Sequence, residues 1–394
     1  MKILPIINGY KISYFRHRRC HLPLPQANLY IVGTSVHKFA VCQQEYDYII
    51  KNNLPYISST EFLAQNIIKP ESILIAGSYG KTTISAFLSW LFVKLDLNPS
   101  YFFGGNLIED FPSLSTGNGQ FSIVEADESI NGLDTQAKFL YYPVKYLIIT
   151  STNWEHKDSY KTAEDNFNAY KQLVEKLPQD GILVYNPNDP EIQKLLPFSK
   201  AKNIPYQSFD FETKLIGKFN RENINAALTL CSALGFDKAI SLVPDFKGIS
   251  RRLEIIHHNP LVIDDFAQSP DRIKSTLNTV SETYPNRPIK VFFEPHASFL
   301  SYKSSLNGMS PAFKSATEVI ISKIKFNPSI SNNDRTTFAD YKAEIGDKVK
   351  YLPLLDNIKQ YLQQSLKPDD ILIHFSSGGL DGLNTLNQIV YTFN

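Results

Sequence analysis

The stretch AGSYGKTTISAF, residues 76–87, has the composition of a loop that binds phosphate groups. Its two glycines permit positive φ angles and close approach of the backbone to a ligand. Lys81 supplies a point charge for β- and γ-phosphates, and the Thr82 hydroxyl suits Mg²⁺. The common form of such a loop, G-x-x-x-x-G-K-[ST], needs a glycine where this chain has Ile75. The stretch is therefore either a glycine-rich turn with a surface lysine or a nucleotide loop with a shorter arm.

The elements on either side of the loop favour the nucleotide interpretation. SILIAG (72–77) is a short apolar run that predicts a buried strand, and TTISAFLSWLFVKLDL (82–97) predicts an apolar helix. A turn between a strand and a helix presents free N–H groups and the positive helix end to an anion. The residues predicted to bind the nucleotide in this loop are Gly77, Ser78, Tyr79, Gly80, Lys81, Thr82 and Thr83.

Candidate metal ligands lie at or after the ends of the next predicted strands of the same series. Glu125 lies near the end of QFSIVEAD (120–127), and His156 follows VKYLIITS (144–151). Open α/β sheets place ligand-binding residues at such strand ends, and Mg²⁺ prefers one or two carboxylates together with phosphates and water. Glu125 is therefore a candidate metal ligand. His156 is either a metal ligand or a structural hydrogen-bonding residue.

The whole chain reads as an α/β protein with more than one domain. It has 394 residues, of which 43% are hydrophobic and 20% charged. Strands alternate with helices up to about residue 200 and again from about residue 260, which predicts parallel sheets. We expect a truncated N-terminal Rossmann-like unit over 1–70, a central P-loop ATPase-like domain with a parallel sheet over 71–250, and a C-terminal Rossmann-like α/β domain over 251–394.

Composition argues against several classes of partner. The formal net charge is +1, so no bulk field attracts nucleic acid or an acidic membrane. No stretch approaches the ~20 apolar residues that a membrane-spanning helix needs. The 3 cysteines have neither zinc-site nor disulfide-framework spacing. We expect no nucleic-acid or membrane partner and a reducing, cytoplasmic setting.

Several segments together resemble the Mur ligase family, in order, from about Ala27 to the C-terminus. GSYGKTT is similar to the family's phosphate loop, which has a shorter arm than the common G-x-x-x-x-G-K-[ST] form. EADES is similar to the acidic strand end of the family, and NWEHKD is similar to the segment that follows it. Further segments that resemble family motifs are GKFNRENINAA (217–227), GISRRLE (248–254), VIDDFAQSP (262–270), FEPHAS (293–298) and SSGGLDGL (376–383).

The resemblance implies an ADP-forming ligase. In this family ATP phosphorylates a carboxylate, and an amine then attacks the acyl phosphate to form an amide. The resemblance implies catalytic roles for Lys81, Glu125 and His156, with Thr82 and Glu125 on one Mg²⁺ and Glu125 and His156 on a second. It also implies that the ATP site includes Asn220 and Asn223 on the adenine side, Arg252 near the phosphates, and Asp265 from the domain that closes over the nucleotide.

The chain departs from the family pattern at positions where the resemblance implies substrate contacts. Residues 1–26 contain a single glycine, Gly9, so the family's glycine loop for the UDP group is missing from this segment. A UDP-sugar partner is therefore doubtful. Gln268 and Ser269 replace two family histidines, and His296 replaces an arginine. Two hypotheses follow. The first is an ATP-dependent amide ligase of peptidoglycan synthesis or recycling, acting as a monomer or homodimer. It joins an amino acid or peptide to a small-molecule carboxylate other than UDP-N-acetylmuramate, or to UDP-N-acetylmuramate held in a different way. The second is a degenerate nucleotide-binding protein with a regulatory or scaffold role.

Overall fold

The structure, a computed structural model, divides into two compact units. It describes residues 2–3, 13–14, 22–24, 26–34, 36–38, 40–154, 159–324, 326, 330–378 and 381–391. The first unit comprises residues 1–213 and 219–246, and the second comprises residues 214–218 and 247–394. None of the helices in these described ranges has both the length and the apolar character that a bilayer crossing requires.

The first unit alternates strands and helices along most of its length. Its strands are β1 (Lys2–Ile3), β2 (Ser13–Tyr14), β3 (Tyr30–Val32), β4 (Tyr56–Ser58), β5 (Glu71–Ala76), β6 (Ser100–Phe102), β7 (Leu114–Ser115), β8 (Phe121–Glu125), β9 (Tyr146–Ile149), β10 (Ile182–Tyr185) and β11 (Lys202–Pro205). Its helices are α1 (Ala40–Lys51), α2 (Ser59–Asn66), α3 (Lys81–Lys94), α4 (Ala163–Glu175), α5 (Pro190–Leu195), α6 (Lys218–Ala233) and α7 (Ala239–Leu242).

A seven-stranded sheet organises this unit, in the order β11-β10-β9-β5-β8-β6-β7. All neighbours are parallel except β6 and β7, and β5 lies between β8 and β9. The apolar run of β5 is buried because neighbouring strands and helices cover both faces of the sheet. α3 is buried on nearly every side from Thr82 to Phe92, which explains its uninterrupted apolar sequence. The strand and helix that flank the phosphate loop are therefore core elements. A separate parallel pair, β3 and β4, precedes them.

The second unit is another α/β layer structure. Its strands are β12 (Glu254–His258), β13 (Leu261–Asp265), β14 (Ile289–Glu294), β15 (Glu318–Ile321), β16 (Val349–Tyr351) and β17 (Ile371–Ser376), and its helices are α8 (Pro270–Thr283), α9 (Met309–Ala312), α10 (Phe338–Ile345), α11 (Leu355–Ser365) and α12 (Asp381–Val390). The sheet order is β12-β13-β17-β14-β15-β16, with only β12 antiparallel. The last strand in sequence, β17, thus lies between β13 and β14.

The predicted α/β fold class with parallel sheets is confirmed. The antiparallel edge strand β12 was not predicted. β12 pairs along only one side, so its sequence carries both polar and apolar residues and does not read as a buried run. The three-part division at residues 70 and 250 stays a prediction.

Candidate functional site

The phosphate loop of the first unit is held close to two neighbouring segments. Gly77 has φ +130° and Gly80 has φ +77°, and both values lie where side chains are disfavoured. A Cβ atom at Gly77 would overlap Thr150, and one at Gly80 would overlap the amide of Asn223. The glycines are thus required by backbone angle and by space. The end of β9 and the first turns of α6 fix the path of the loop.

Hydrogen bonds reinforce this path. The Thr150 hydroxyl donates to the Tyr79 carbonyl at 2.5 Å, and the Ser78 hydroxyl donates to the Asn153 carbonyl at 2.8 Å. The Ser78 amide donates to the carbonyl of Ser151 at 3.1 Å. Hydrogen bonds within the protein therefore define the shape of the loop, as a preorganised anion site requires.

Lys81 begins α3 directly after the left-handed Gly80. Its Nζ donates to the Gly77 carbonyl and lies 2.7 Å from Oε2 of Glu128. Only 12% of the Lys81 side chain and 2% of the Glu128 side chain are exposed. The lysine is thus folded over the loop with its charge balanced by a buried carboxylate.

Thr82 and Glu125 meet beside the loop. The Thr82 hydroxyl donates to Oε1 of Glu125 at 2.9 Å, and the Gly104 amide donates to Oε2 at 2.6 Å. The two side chains predicted to share a metal are therefore in contact. The neighbouring Asp127 has a different partner: its carboxylate lies 2.7 Å from Nζ of Lys138. Burial opposes ionisation of Asp127, but this ion pair outweighs burial and lowers its pKa.

Asn220 and Asn223 lie on the first turns of α6. Asn220 is buried, and Asn223 packs against Gly80 of the loop. The adenine-side role predicted for both asparagines stays a prediction. His156 and its neighbours at 155–158 lie outside the described residues, so the predicted second metal site does too.

In the second unit, the predicted residue Arg252 lies just before β12, and the predicted residue Asp265 ends the paired strand β13. The Asp265 carboxylate accepts the Leu253 amide at 2.9 Å and the Ala267 amide at 2.8 Å. Burial raises the pKa of Asp265, opposed by these amides and by the charge of Arg252. Asp265 thus joins the segment before β12 to the segment after β13, and its role toward ATP stays a prediction.

Gln268, which replaces a family histidine, joins two loops of the second unit. Its buried Oε1 accepts the amides of His296 at 3.1 Å and Ala297 at 3.3 Å. An amide side chain can make these bonds in a fixed orientation without carrying charge. The substitution therefore keeps a well-partnered residue at this position.

Family models match most of the described chain. The Mur ligase middle domain matches residues 75–206, and the Mur ligase glutamate ligase domain matches residues 251–378. The chain belongs to the Mur ligase family. This membership and the predicted class of ADP-forming ligase are confirmed, and the alternative of a degenerate binding protein is not favoured.

Relatives of this Mur ligase align over most of its length. UDP-N-acetylmuramate–L-alanine ligase from Desulfitobacterium hafniense is 28% identical over 362 residues, covering 83% of this chain and 79% of the relative. The enzyme of the same name from Wigglesworthia glossinidia brevipalpis is 24% identical and covers 95% of this chain and 86% of the relative.

Solved structures agree on the fold. UDP-N-acetylmuramate–alanine ligase from Thermotoga maritima superposes with a TM-score of 0.73 at 19% identity, over 94% of this Mur ligase and 86% of that chain. A murein peptide ligase from Psychrobacter arcticus gives a TM-score of 0.64 at 19% identity, over 92% and 86%. A closer relation to the murein peptide ligases, which segments 293–298 and 376–383 predict, stays a prediction.

Sequence reasoning missed two participants in the loop site of this Mur ligase. Gly104 donates its amide to Glu125, and Thr150 fixes the Tyr79 carbonyl. A backbone amide has no sequence signature, so Gly104 carried no signal. Thr150 is the second-to-last residue of the run VKYLIITS, and its position after a strand of the same sheet was the available signal.

Proposed function

We propose that this Mur ligase joins the carboxylate of a muramic acid-containing peptidoglycan precursor to the amine of an amino acid or peptide, with ATP converted to ADP. The names of relatives that align with most of the chain support a carboxylate of the muramate class. One observation carries the ATP-dependent step. Lys81, Thr82 and Glu125 converge on a preformed glycine loop at the start of a buried helix.

The reaction has two steps that balance without an external oxidant or reductant. A carboxylate oxygen attacks the γ-phosphorus of ATP, and ADP leaves. The amine then attacks the acyl carbon, inorganic phosphate leaves, and the nitrogen loses its extra proton. Phosphoryl transfer of this kind needs positioning and charge stabilisation more than covalent chemistry from the protein.

The residues beside the loop fit a Mg²⁺ ion. The Thr82 hydroxyl and the Glu125 carboxylate are hard oxygen donors 2.9 Å apart, and Mg²⁺ takes few protein carboxylates alongside phosphate oxygens and water. Thr82 and Glu125 would hold the ion, and His156 is proposed as a further ligand. When bound, the ion neutralises charge on the phosphate oxygens.

The protein's own contribution begins with Lys81. Its ammonium group is held at the loop by the Gly77 carbonyl and Glu128, so it need not be ordered when ATP binds. The first-turn amides of α3 point toward the loop and add the positive end of the helix. Gly104 fixes the second oxygen of Glu125, which leaves Oε1 directed at Thr82.

We propose that recognition of the muramate moiety contributes to precursor binding, because the names of the relatives that align with most of the chain contain this group. A cytoplasmic setting, where ATP is available and thiols stay reduced, is part of the proposal.

ADP release tests this function directly. The purified chain is incubated with ATP, Mg²⁺ and L-alanine, with UDP-N-acetylmuramate or with N-acetylmuramate lacking UDP. We expect ADP to appear only when both a carboxylate and an amine are present. Lys81→Ala should reduce the rate by about 100-fold or more, because a charged contact to the transferred phosphate is lost. Lys94→Ala, at the exposed far end of the same helix, is the matched control.

The outcome against the proposal is equally specific. ADP release that does not depend on the carboxylate and the amine, or an unchanged rate in Lys81→Ala, would show that the loop does not serve an acyl phosphate reaction. A faster rate with a carboxylate outside the muramate class would reassign the substrate.

A further inference from the structure

A buried histidine in the second unit has carboxylates on both ring nitrogens. Nδ1 of His374 lies 2.6 Å from Oδ1 of Asp264, and Nε2 lies 2.8 Å from Oε1 of Glu294. The His374 side chain has no exposed surface. A neutral imidazole has a single N–H group, so donation to both carboxylates requires the doubly protonated, charged ring.

The surroundings of His374 support the charged form. Besides the two carboxylates, the Phe292 ring lies 4.6 Å away by centroid, and the backbone of Gly382 passes over the Nε2 side. Burial of the ring opposes its protonation, but the hydrogen bonds to Asp264 and Glu294 outweigh burial and raise the pKa of His374. The same pairing lowers the pKa of Glu294 against its own burial.

A second cation completes the balance. Nε of Arg251 lies 3.0 Å from Oδ2 of Asp264, and its terminal nitrogens donate to the carbonyls of Ser376 at 2.6 Å and Gly378 at 3.1 Å. Two buried carboxylates are therefore matched by two cations, as buried charges require. Arg251 also ties this group of charges to the loop that follows β17.

The network ends at the surface, on His296. Oε2 of Glu294 lies 3.6 Å from Nε2 of His296, and the Ser376 hydroxyl lies 3.3 Å from Nδ1. The His296 side chain is 32% exposed, whereas Glu294 beneath it is buried. A Cβ atom at Gly378 would overlap the His296 ring, so the backbone of the loop packs directly on it.

The location of this ring is one where ligands bind. His296 follows the carboxyl end of β14, and Ser376 ends the adjacent parallel strand β17. Ligands of open α/β sheets bind outside the carboxyl ends of the strands. A histidine nitrogen can accept a hydrogen bond from an ammonium group, which is how an amine substrate arrives at neutral pH.

We propose that His374 is a positioning residue for the amine step: it fixes Glu294, and Glu294 sets the ring of His296, which contacts the amine substrate. The inference rests on the proposed ligase function. His374 never meets the substrate in this account. Its effect passes through the Glu294 carboxylate to the adjacent ring of His296, so its loss should alter amine use and leave ATP use intact.

Steady-state kinetics of the full chain test this assignment with L-alanine and ATP as the varied substrates. His374→Gln replaces two ring nitrogens, one facing each carboxylate, with a single uncharged amide nitrogen, so the cation between Asp264 and Glu294 is lost. We expect the KM for the amine to rise about tenfold or more, with the KM for ATP within about twofold of wild type. His258→Gln, an exposed histidine at the end of β12, is the matched control and should change neither value.

A double substitution separates positioning from general destabilisation. His296→Ala should raise the amine KM on its own, and adding His374→Gln should cost little more, because both act on one ring. The proposal would be overturned if the two single-variant increases in amine KM multiplied in the double variant. Equal increases in the KM for the amine and the KM for ATP would also overturn it. If His374→Gln fails the fold check by circular dichroism, Glu294→Gln, which keeps the side-chain shape, takes its place in the cycle.

Histidine NMR provides a test that does not depend on catalysis. With ¹⁵N-labelled histidine, His374 should show two protonated ring nitrogens at neutral pH, and His374→Gln should shift the His296 signal. A neutral His374 tautomer or an unmoved His296 signal would overturn the proposal even in an active enzyme. If the NMR results are as expected but no ADP is released, the ligase assignment is rejected, whereas the positioning of His296 by His374 is not.

Discussion

The phosphate loop of the first unit and the ion network of the second unit solve opposite electrostatic problems. The loop gathers glycines, amides and one lysine so that an anion can be received from outside. The network around His374 pairs two buried carboxylates with two cations, and its central pair, His374 and Asp264, has no exposed side-chain surface. The first arrangement is built mainly from backbone, and the second from side chains on three strands. Backbone shape should therefore decide ATP binding, whereas charge balance should decide the stability of the second unit.

The largest effect should be a loss of stability in the second unit when a charge is removed from the network around His374. In His374→Gln, two buried carboxylates lose a cation, which costs about 3–5 kcal/mol for a broken buried pair. Both tryptophans, Trp90 and Trp154, lie in the first unit, so fluorescence does not report on this change. Hydrogen–deuterium exchange of β17 does report on it, and faster exchange is expected there than in β5.

The pH dependence of this effect has a definite sign. The pKa of His374 is raised in the folded state, so its contribution is complete below the unfolded value of about 6.5 and is lost as pH rises through the folded value. After correction for intrinsic exchange rates, the difference between wild type and His374→Gln should shrink from pH 6 to pH 9. A difference that grows with pH would contradict a charged ring.

The next largest effect should be a loss of ATP affinity caused by a change in the backbone geometry of the phosphate loop. Gly80→Ala places a side chain at φ +77° and against Asn223, so the loop must distort. We expect ATP affinity to fall about 100-fold, since strained backbone and displaced amides both weaken the anion site. Titration calorimetry with Mg²⁺ measures the affinity.

Gly235→Ala is the control for this prediction. Gly235 also has a positive φ, +82°, but no atom lies near its added Cβ. It should lower stability by about 1 kcal/mol without changing ATP affinity. Equal affinity losses at both positions would show that global strain, and not the loop, is responsible.

The smallest effect should come from Gln268→Ala, which removes an acceptor but no charge. The His296 and Ala297 amides lose their partner, at a cost of about 1–2 kcal/mol. Faster amide exchange over residues 295–298 with unchanged exchange in β17 is the expected signature. Loss of protection in β17 as well would mean that the loop and the ion network are one unit.

The same contrast explains what the sequence could predict. The loop site is local: Gly77 to Thr83 are contiguous, so their types and spacing are enough to indicate an anion site. The partners of His374 lie 110 and 80 residues away, and its own run ILIHFS reads as a core strand. Only the order of β13, β17 and β14 brings them together. Strand order is a long-range property that periodicity does not encode.

The edges of the two sheets carry a further consequence. Among the described strands, β7 is two residues long and β12 contains a register shift after Ile255. β11 carries Lys202 and Pro205, and β16 carries Lys350. Short strands, bulges, lysine and proline are the features that prevent one molecule's open edge from adding to the sheet of another. The outer strands therefore oppose edge-to-edge aggregation while leaving the inner parallel strands free to consist almost wholly of apolar residues.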